Sequence, residues 1–488
     1  MKNKPFSEVY FFVLFILIIS FPLFVSIGDH PIRLWDESRN AINALDMFSN
    51  GNYLVTHYEG NPEMWNTKPP LLIWLQVLFF TLIGPSELAL RLPSAFAALG
   101  VCITLYLFSI KYLKSTIFAF LACLILVTSA GYTQFHVTRT GDYDSLLILF
   151  MLCYALAFFA YTESRNKNYL FYLFLFLTLA VLTKSIQGLL FIPALFTYAV
   201  VFRKVHLFIN KNIIIPALLF VFLVASYYLL REQYNEGYLQ AVWENELGGR
   251  YFETNENHEQ EFLFYFKLLY KYHFNYWFGL FLLGSACLLL PIKEELRKVG
   301  FFSLIVIFTY WLVISLSKTK LEWYESPMFP FLSILAAVPI YLGHMILLQF
   351  LRQKVIAFLV IGSMLFLIYQ TPCVKTFNRT YYFKPFEWEK GTYEIGYILQ
   401  QTLRNKDEFS SYDICFDGYH PHLMFYVYLL EKSGKTINSI RKDQLSPGDE
   451  VWISQPELMT FVESEFEFRI ADEKYGAVKY ELLLKKNL

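Results

Sequence analysis

Long apolar stretches broken by short polar connections fill the first three quarters of the chain, and a mixed polar segment fills the rest. A helix needs about 20 mostly apolar residues to cross about 30 Å of hydrocarbon, with roughly 17 as a lower limit. Runs that meet or approach that limit lie at 9–27, 88–110, 115–134, 145–161, 169–183, 188–202, 213–230, 270–290, 301–316, 328–349 and 355–369. They predict a polytopic α-helical membrane protein with about eleven spans. A shorter apolar run at 69–84 opens on two prolines and is expected to form a juxtamembrane or re-entrant helix.

From about Lys375 charges and turn residues appear throughout. Here 387–403 reads as a helix, 412–416 as a strand, 420–431 as a helix, 450–453 as a strand, 457–463 as a helix and 478–484 as a strand. The expected organisation is therefore a membrane domain at 1–372, with an external loop at 28–69, and a small α/β domain at 375–488. The glycines of the tail form no phosphate-binding fingerprint, which favours a lid or docking module.

Lysine and arginine in short loops collect on the cytoplasmic side of a membrane. Starting with Lys2 and Lys4, alternate connections are basic: Lys111 and Lys114, Arg165 and Lys167, Arg203 with Lys204 and Lys211, Lys293 with Arg297 and Lys298, Arg352 and Lys354. Counting 69–84 as a full span would break that register. The opposite face then receives 28–68, 138–144, 184–187, 231–261, 317–326 and everything after 371. In a bacterial inner membrane that face is periplasmic, and the tail is expected there. No A-x-A-like cleavage site follows the first run, so it is read as a retained span.

Composition supports the membrane reading, since hydrophobic residues make up 56% and charged ones 17%, against about 25% charged in an ordinary globular chain. The 41 basic and 41 acidic residues cancel, so no global field recruits nucleic acid and no such partner is expected. The six cysteines are not at metal-ligand spacing; only Cys373 and Cys415 fall where they could meet outside the membrane.

Candidate chemistry sits in the polar connections of the outer face. Trp35-Asp36-Glu37-Ser38-Arg39 places two carboxylates and a guanidinium after the first run. Its structural reading is a helix start with acids in the first turn and Arg39 in a local ion pair; its functional reading is Asp36 as a base for a nucleophilic hydroxyl or amine. Lys68 precedes Pro69 and Pro70 where the chain re-enters lipid, either snorkelling or neutralising a phosphate. Arg139-Thr140-Gly141-Asp142-Tyr143-Asp144 holds two acids, either solvated or, for Asp144 at the mouth of the next run, catalytic. Lys184, Lys318 and Lys320 put cations on the outer face against the topological trend, as an anion such as a lipid phosphate would require; ordinary loop lysines are the alternative. In the loop from Arg231, Arg250 and His258 are further candidates, and His258 with Glu256 or Glu259 is a candidate pair for a divalent cation, although no ligand spacing demands one.

Together, Asp36-Glu37-x-Arg39, Thr67-Lys68-Pro69-Pro70-Leu71, Arg91-Leu92-Pro93-Ser94, Arg139 to Asp144, Leu182-Thr183-Lys184 and Thr319-Lys320-Leu321-x-x-Tyr324 resemble polytopic GT-C glycosyltransferases. The nearest groups are the protein O-mannosyltransferases and the lipid A aminoarabinose transferases, and the resemblance covers about residues 1–350. It implies a polyprenyl-phosphate sugar donor, a lipid or protein acceptor, Asp36 as catalytic aspartate and Asp144 as the second acid, with Glu37 beside them. Lys68, Arg39, Lys184, Arg250, Lys318, Lys320 and Tyr324 would line the donor phosphate or its pocket, with Asp142, Arg139 and His258 as further candidates. One departure stands out: aminoarabinose transferases commonly carry a glutamate before this lysine, where Thr67 stands here, which puts a metal site and a lipid A acceptor in doubt. An oxocarbenium-like transition state fits an acid near the anomeric carbon and cations at the leaving phosphate, and direct displacement predicts inversion. The alternative class is a polytopic transporter or lipid flippase. Such proteins place ionisable residues near the midplane, often in repeated halves, whereas these acids gather at span ends.

Overall fold

The computed structural model describes residues 5–252, 259–351, 353–404 and 411–486; at 5–8, 247, 249–252, 354, 357, 358 and 411 it describes the backbone only. In chain order, helices α1 (Pro5–Phe24) and α2 (Asp36–Asn50) are followed by a two-residue ribbon, β1 (His57–Tyr58) with β2 (Asn61–Pro62). Then come α3 (Leu71–Ile83), α4 (Glu87–Leu113), α5 (Thr116–Thr128), α6 (Asp144–Ser164), α7 (Asn168–Lys184), α8 (Ile192–Val201) and α9 (Ile214–Tyr234). Short α10 (Tyr238–Val242) and α11 (Phe264–Leu268) lead to α12 (Asn275–Cys287), α13 (Glu294–Leu316), α14 (Phe329–Phe350) and α15 (Lys354–Tyr381). The last segment holds α16 (Lys390–Arg404), β3 (Ser411–Cys415), α17 (Pro421–Lys432), β4 (Thr436–Ile440), β5 (Glu450–Ile453), α18 (Pro456–Glu465), β6 (Phe466–Lys474) and β7 (Ala477–Lys485).

Among the described residues, seven helices are long and apolar enough to cross a membrane, in the segments of α4, α6, α7, α9, α13, α14 and α15. The four other runs, 9–27, 115–134, 188–202 and 270–290, give the shorter apolar stretches of α1, α5, α8 and α12. Run 69–84 becomes the 13-residue α3. Two polar turns explain the shortening of α5 and α8. The hydroxyls of Thr128 and Ser129 bond back to carbonyls of their own helix at its end, and a 3-10 turn at Ser185–Leu189 precedes α8.

The chain forms two compact units. Unit 1 comprises Met1–Val25, Met64–Leu72 and Pro93–Tyr382. Its core is apolar and aromatic, from Phe15 through Tyr154, Trp277 and Phe331 to Tyr369. Small residues let its helices approach closely, as membrane helices do. A side chain on Gly284 of α12 would collide with the carbonyl oxygen of Leu335 in α14. All six cysteines of the chain are free.

Unit 2 comprises Ser26–Glu63, Ile73–Leu92 and Phe383–Leu488. Its five-stranded sheet has the order β4-β3-β5-β7-β6, with β3 parallel to β4 and β5, and β7 antiparallel to β5 and β6. The C-terminal helices share a core with the first loop: Ala41, Ile42 and Leu45 of α2 and Ile73 and Val77 of α3 cluster with Ile398 of α16 and Phe425 and Tyr426 of α17. This is why 26–63 and 73–92 group with the tail.

Candidate active site

Two charged side chains of unit 1 meet where α6 starts and α7 stops. Asp144 opens α6 and Lys184 closes α7, each at the helix end whose dipole favours its sign. Both are buried, and Lys184 Nζ donates to both carboxylate oxygens of Asp144 at 2.8 Å. Lys184 also lies 5.8 Å from the centre of the Tyr324 ring.

Lys68 is held from the other direction. Its Nζ donates to Asn66 Oδ1 at 3.1 Å and lies 5.5 Å from the ring of Tyr143, the residue before Asp144. Asn66 in turn donates to the Tyr143 hydroxyl at 3.0 Å. The acid facing Lys68 is Glu246, 3.4 Å from Nζ and buried. Neither carboxylate oxygen of Glu246 receives a hydrogen bond. Glu246 sits in a π-helical segment, Trp243–Phe252, fastened where Asn245 donates to the Met64 carbonyl at 2.9 Å. The Tyr238 hydroxyl donates to the carbonyl of Thr67 at 2.6 Å, and the buried Arg231 guanidinium stacks over the Tyr238 ring at 4.8 Å.

Beside Glu246 and Tyr324 lies a small recess, bordered by Gln187, Tyr310 and Ser317 together with apolar side chains. Its polar groups are a carboxylate, two phenols, an amide and a hydroxyl, and its walls are otherwise apolar. Lys320 is buried and donates to the Ser317 carbonyl at 2.6 Å. Burial pushes its amine below the ordinary lysine range, and Glu259 only partly opposes this. Lys318 is exposed.

Other candidates in unit 1 have structural engagements. Arg139 donates to the carbonyls of Pro22, Leu23, Val25 and Thr380, so it binds the C-terminal turn of α1 and the end of α15. Asp142 accepts from Thr140 at 2.5 Å and lies 3.7 Å from His136 Nδ1, whose ring stacks on Trp323 at 3.6 Å. The Arg250 side chain, with His258 and Glu256, lies outside the described residues.

Asp36, Glu37 and Arg39 belong to unit 2. Asp36 is the first residue of α2 and is exposed. Glu37 is buried and holds Arg91: Nε donates to Oε1 at 2.6 Å and Nη2 to Oε2 at 2.9 Å. Arg39 forks onto Glu63 with two bonds of 2.8 Å and lies 4.3 Å from the Tyr58 ring. Burial opposes its charge, but Glu63 outweighs burial and raises its pKa.

Over residues 67–230 the chain matches the model of the dolichyl-phosphate-mannose-protein mannosyltransferase family. The structure superposes on ArnT from Cupriavidus metallidurans, crystallised with undecaprenyl phosphate, at a TM-score of 0.70 and 16% identity, covering 98% of each chain. The chain has the fold of ArnT. Sequence relatives are more distant in coverage: an uncharacterised protein of Aquifex aeolicus is 27% identical over 67% of this chain and 63% of its own length. A putative mannosyltransferase of Bacillus subtilis, YycA, is 23% identical over 32% of this chain and 22% of its own. The matched segment 67–230 contains Lys68, Asp144 and Lys184.

Sequence reasoning named both lysines but not the acid that meets Lys68. Glu246 lay in a loop with another glutamate at 244, and nothing in the order of residues separates the two. A general signal was present, because a lysine withdrawn from water calls for a carboxylate. Asn66, Tyr143 and Tyr238 also went unnamed as site residues; each acts through a side-chain contact across 77 to 171 positions.

Proposed function

We propose that this protein transfers a sugar from a polyprenyl-phosphate donor to an acceptor at the periplasmic face of a bacterial inner membrane, with inversion at the anomeric carbon. The single observation that carries this reading is the charged cluster of unit 1, where the buried Lys184 and the half-buried Lys68 stand beside the rings of Tyr324 and Tyr143 and Glu246 receives no hydrogen bond. A phosphate attached to a prenyl chain would draw Lys68 from its long contact with Glu246 and lay an apolar body against the walls of the recess beside it. ArnT, which shares the fold, has been crystallised with undecaprenyl phosphate.

In the reaction, an acceptor hydroxyl or amine attacks the anomeric carbon, the bond from that carbon to the phosphate oxygen breaks, and polyprenyl phosphate leaves with the electron pair. Lys68 and Lys184 stabilise the charge that grows on the leaving phosphate. Asp144 keeps Lys184 charged and aimed, and Lys320 and Tyr324 add a donor each. Asp36 takes the acceptor's proton, a role that rests on the sequence resemblance. The test is transfer from a radiolabelled polyprenyl-phosphate sugar in membranes carrying the wild type or Asp36→Asn. The variant is expected to insert normally and lose transfer at least 100-fold; full activity would remove Asp36 from the chemistry.

A further inference from the structure

Unit 2 carries an aromatic platform that the donor chemistry does not use. Trp35 is 53% exposed, yet its backbone sits at φ 76° and ψ −123°, a conformation that L residues rarely adopt. The segment around it is braced: the Ile32 amide donates to Tyr426 Oη at 2.9 Å, the Arg33 amide to Glu37 at 2.9 Å, and Ser38 Oγ to the Trp35 carbonyl at 2.8 Å. Backbone strain kept in so tightly held a segment normally serves core packing or a ligand. Packing is not served, because the indole faces outward. The ring instead lies nearly parallel to Tyr419, with centroids 5.4 Å apart and planes at 21°. Arg39 reaches the Tyr419 hydroxyl at 3.5 Å while held by Glu63, and Tyr58 lies under the guanidinium.

An exposed flat indole, a second ring beside it, and a rim of phenol and guanidinium match one ligand chemistry well. A pyranose ring has an apolar face of C–H groups and an equatorial rim of hydroxyls. The face stacks on aromatic rings and the hydroxyls bond to fixed polar groups. We propose that Trp35 and Tyr419 form an acceptor subsite that binds a pyranose ring and thereby presents its hydroxyl to Asp36. This rests on the glycosyl-transfer reading, which it extends from donor to acceptor. An acceptor whose reacting sugar is stacked on Trp35 must itself come from a preceding glycosylation.

The test uses the full chain in nanodiscs, with maltose as a free glycan and dodecyl maltoside as a lipid-borne one, read by saturation transfer to the sugar-ring protons. The wild type is expected to saturate the ring protons of at least one probe. Signal from both assigns a free glycan as sufficient, and signal from dodecyl maltoside alone assigns a lipid-borne acceptor. Trp35→Ala and Trp35→Gly are expected to lose at least five-fold of the signal, while Trp35→Phe retains it. Trp35→Gly is also expected to raise the melting temperature, because glycine accepts the backbone angle; a purely structural tryptophan would lower it. Equal signal in Trp35→Ala, no signal in the wild type, or quenching of Trp35 by brominated acyl chains would overturn the proposal, the last by assigning the ring to the bilayer interface. Undecaprenyl phosphate binding, measured on the same samples, is expected to be the same in wild type and Trp35→Ala. Its absence from the wild type would count against the donor reading alone.

Discussion

Two ion pairs on buried carboxylates in this molecule differ in how completely they are satisfied. In unit 2 the Arg91 guanidinium spends its donors on Glu37 and on the carbonyls of Ile27, His30 and Pro31, at 2.6 to 2.9 Å, and Glu37 also accepts from the Arg33 amide. In unit 1 Lys68 reaches Glu246 only at 3.4 Å, and the carboxylate receives no hydrogen bond. A saturated pair has no capacity left for a ligand and holds its surroundings together. An unsaturated one in a recess leaves desolvated charge that a ligand can satisfy. Although Glu37 is adjacent to Asp36 in sequence, its geometry is that of a strut, whereas Glu246 and Lys68 are arranged to exchange partners.

If the contrast is right, the largest effect belongs to the strut. Arg91→Met strands Glu37 in the core and is expected to cost about 3–5 kcal/mol, seen as loss of folded protein by fluorescence-detected size exclusion. A variant that elutes and melts like the wild type would dissolve the distinction.

Glu246→Gln should do the opposite. Removing a buried carboxylate without hydrogen bonds leaves the melting temperature unchanged or higher, and frees Lys68 for phosphate. Undecaprenyl phosphate affinity is expected to rise by roughly three- to ten-fold, about 1 kcal/mol. A drop in both stability and affinity would mean that Glu246 is a strut as well.

The smallest effect concerns Lys320, which has a single carbonyl partner and a pKa lowered by burial. Its charge is lost as pH rises through that depressed value, so donor affinity should begin to fall below the ordinary lysine range of about 10.4. Lys320→Arg stays charged at every accessible pH and is expected to move that fall upward by about one unit or more. Identical pH profiles for the two proteins would remove Lys320 from the donor site.

How much of this was legible in the sequence follows the same physics. Long apolar runs announce α6, α7 and α14, because lipid requires length and apolarity of them. In the tail, the central strands β3, β5 and β7 show through their buried side chains, Ile414, Val451 and Leu482 among them. Strands β4 and β6 escaped because they are the edges of the sheet. Most positions of β6, Phe466–Lys474, are not buried, so no alternating apolar face marks it. Lys68 and Lys184 were readable because charge beside a span is costly. Trp35 was visible as a letter beside Asp36, but its backbone angle and its pairing with Tyr419, 384 positions away, are products of the fold. The grouping of 26–63 with the C-terminal segment was equally hidden, since it rests on packing between α2 and α17.

The central claim is that Lys68, held loosely by Glu246, takes the donor phosphate. It is tested most directly by the dissociation constant for undecaprenyl phosphate in nanodiscs, comparing the wild type with Lys68→Ala and with Arg39→Ala as a cation of unit 2. A charge-assisted hydrogen bond to phosphate is worth about 1.5–3 kcal/mol, or roughly 10- to 150-fold. Lys68→Ala is expected to weaken binding by that factor, with Arg39→Ala binding like the wild type. Equal affinity of Lys68→Ala and the wild type would contradict the account.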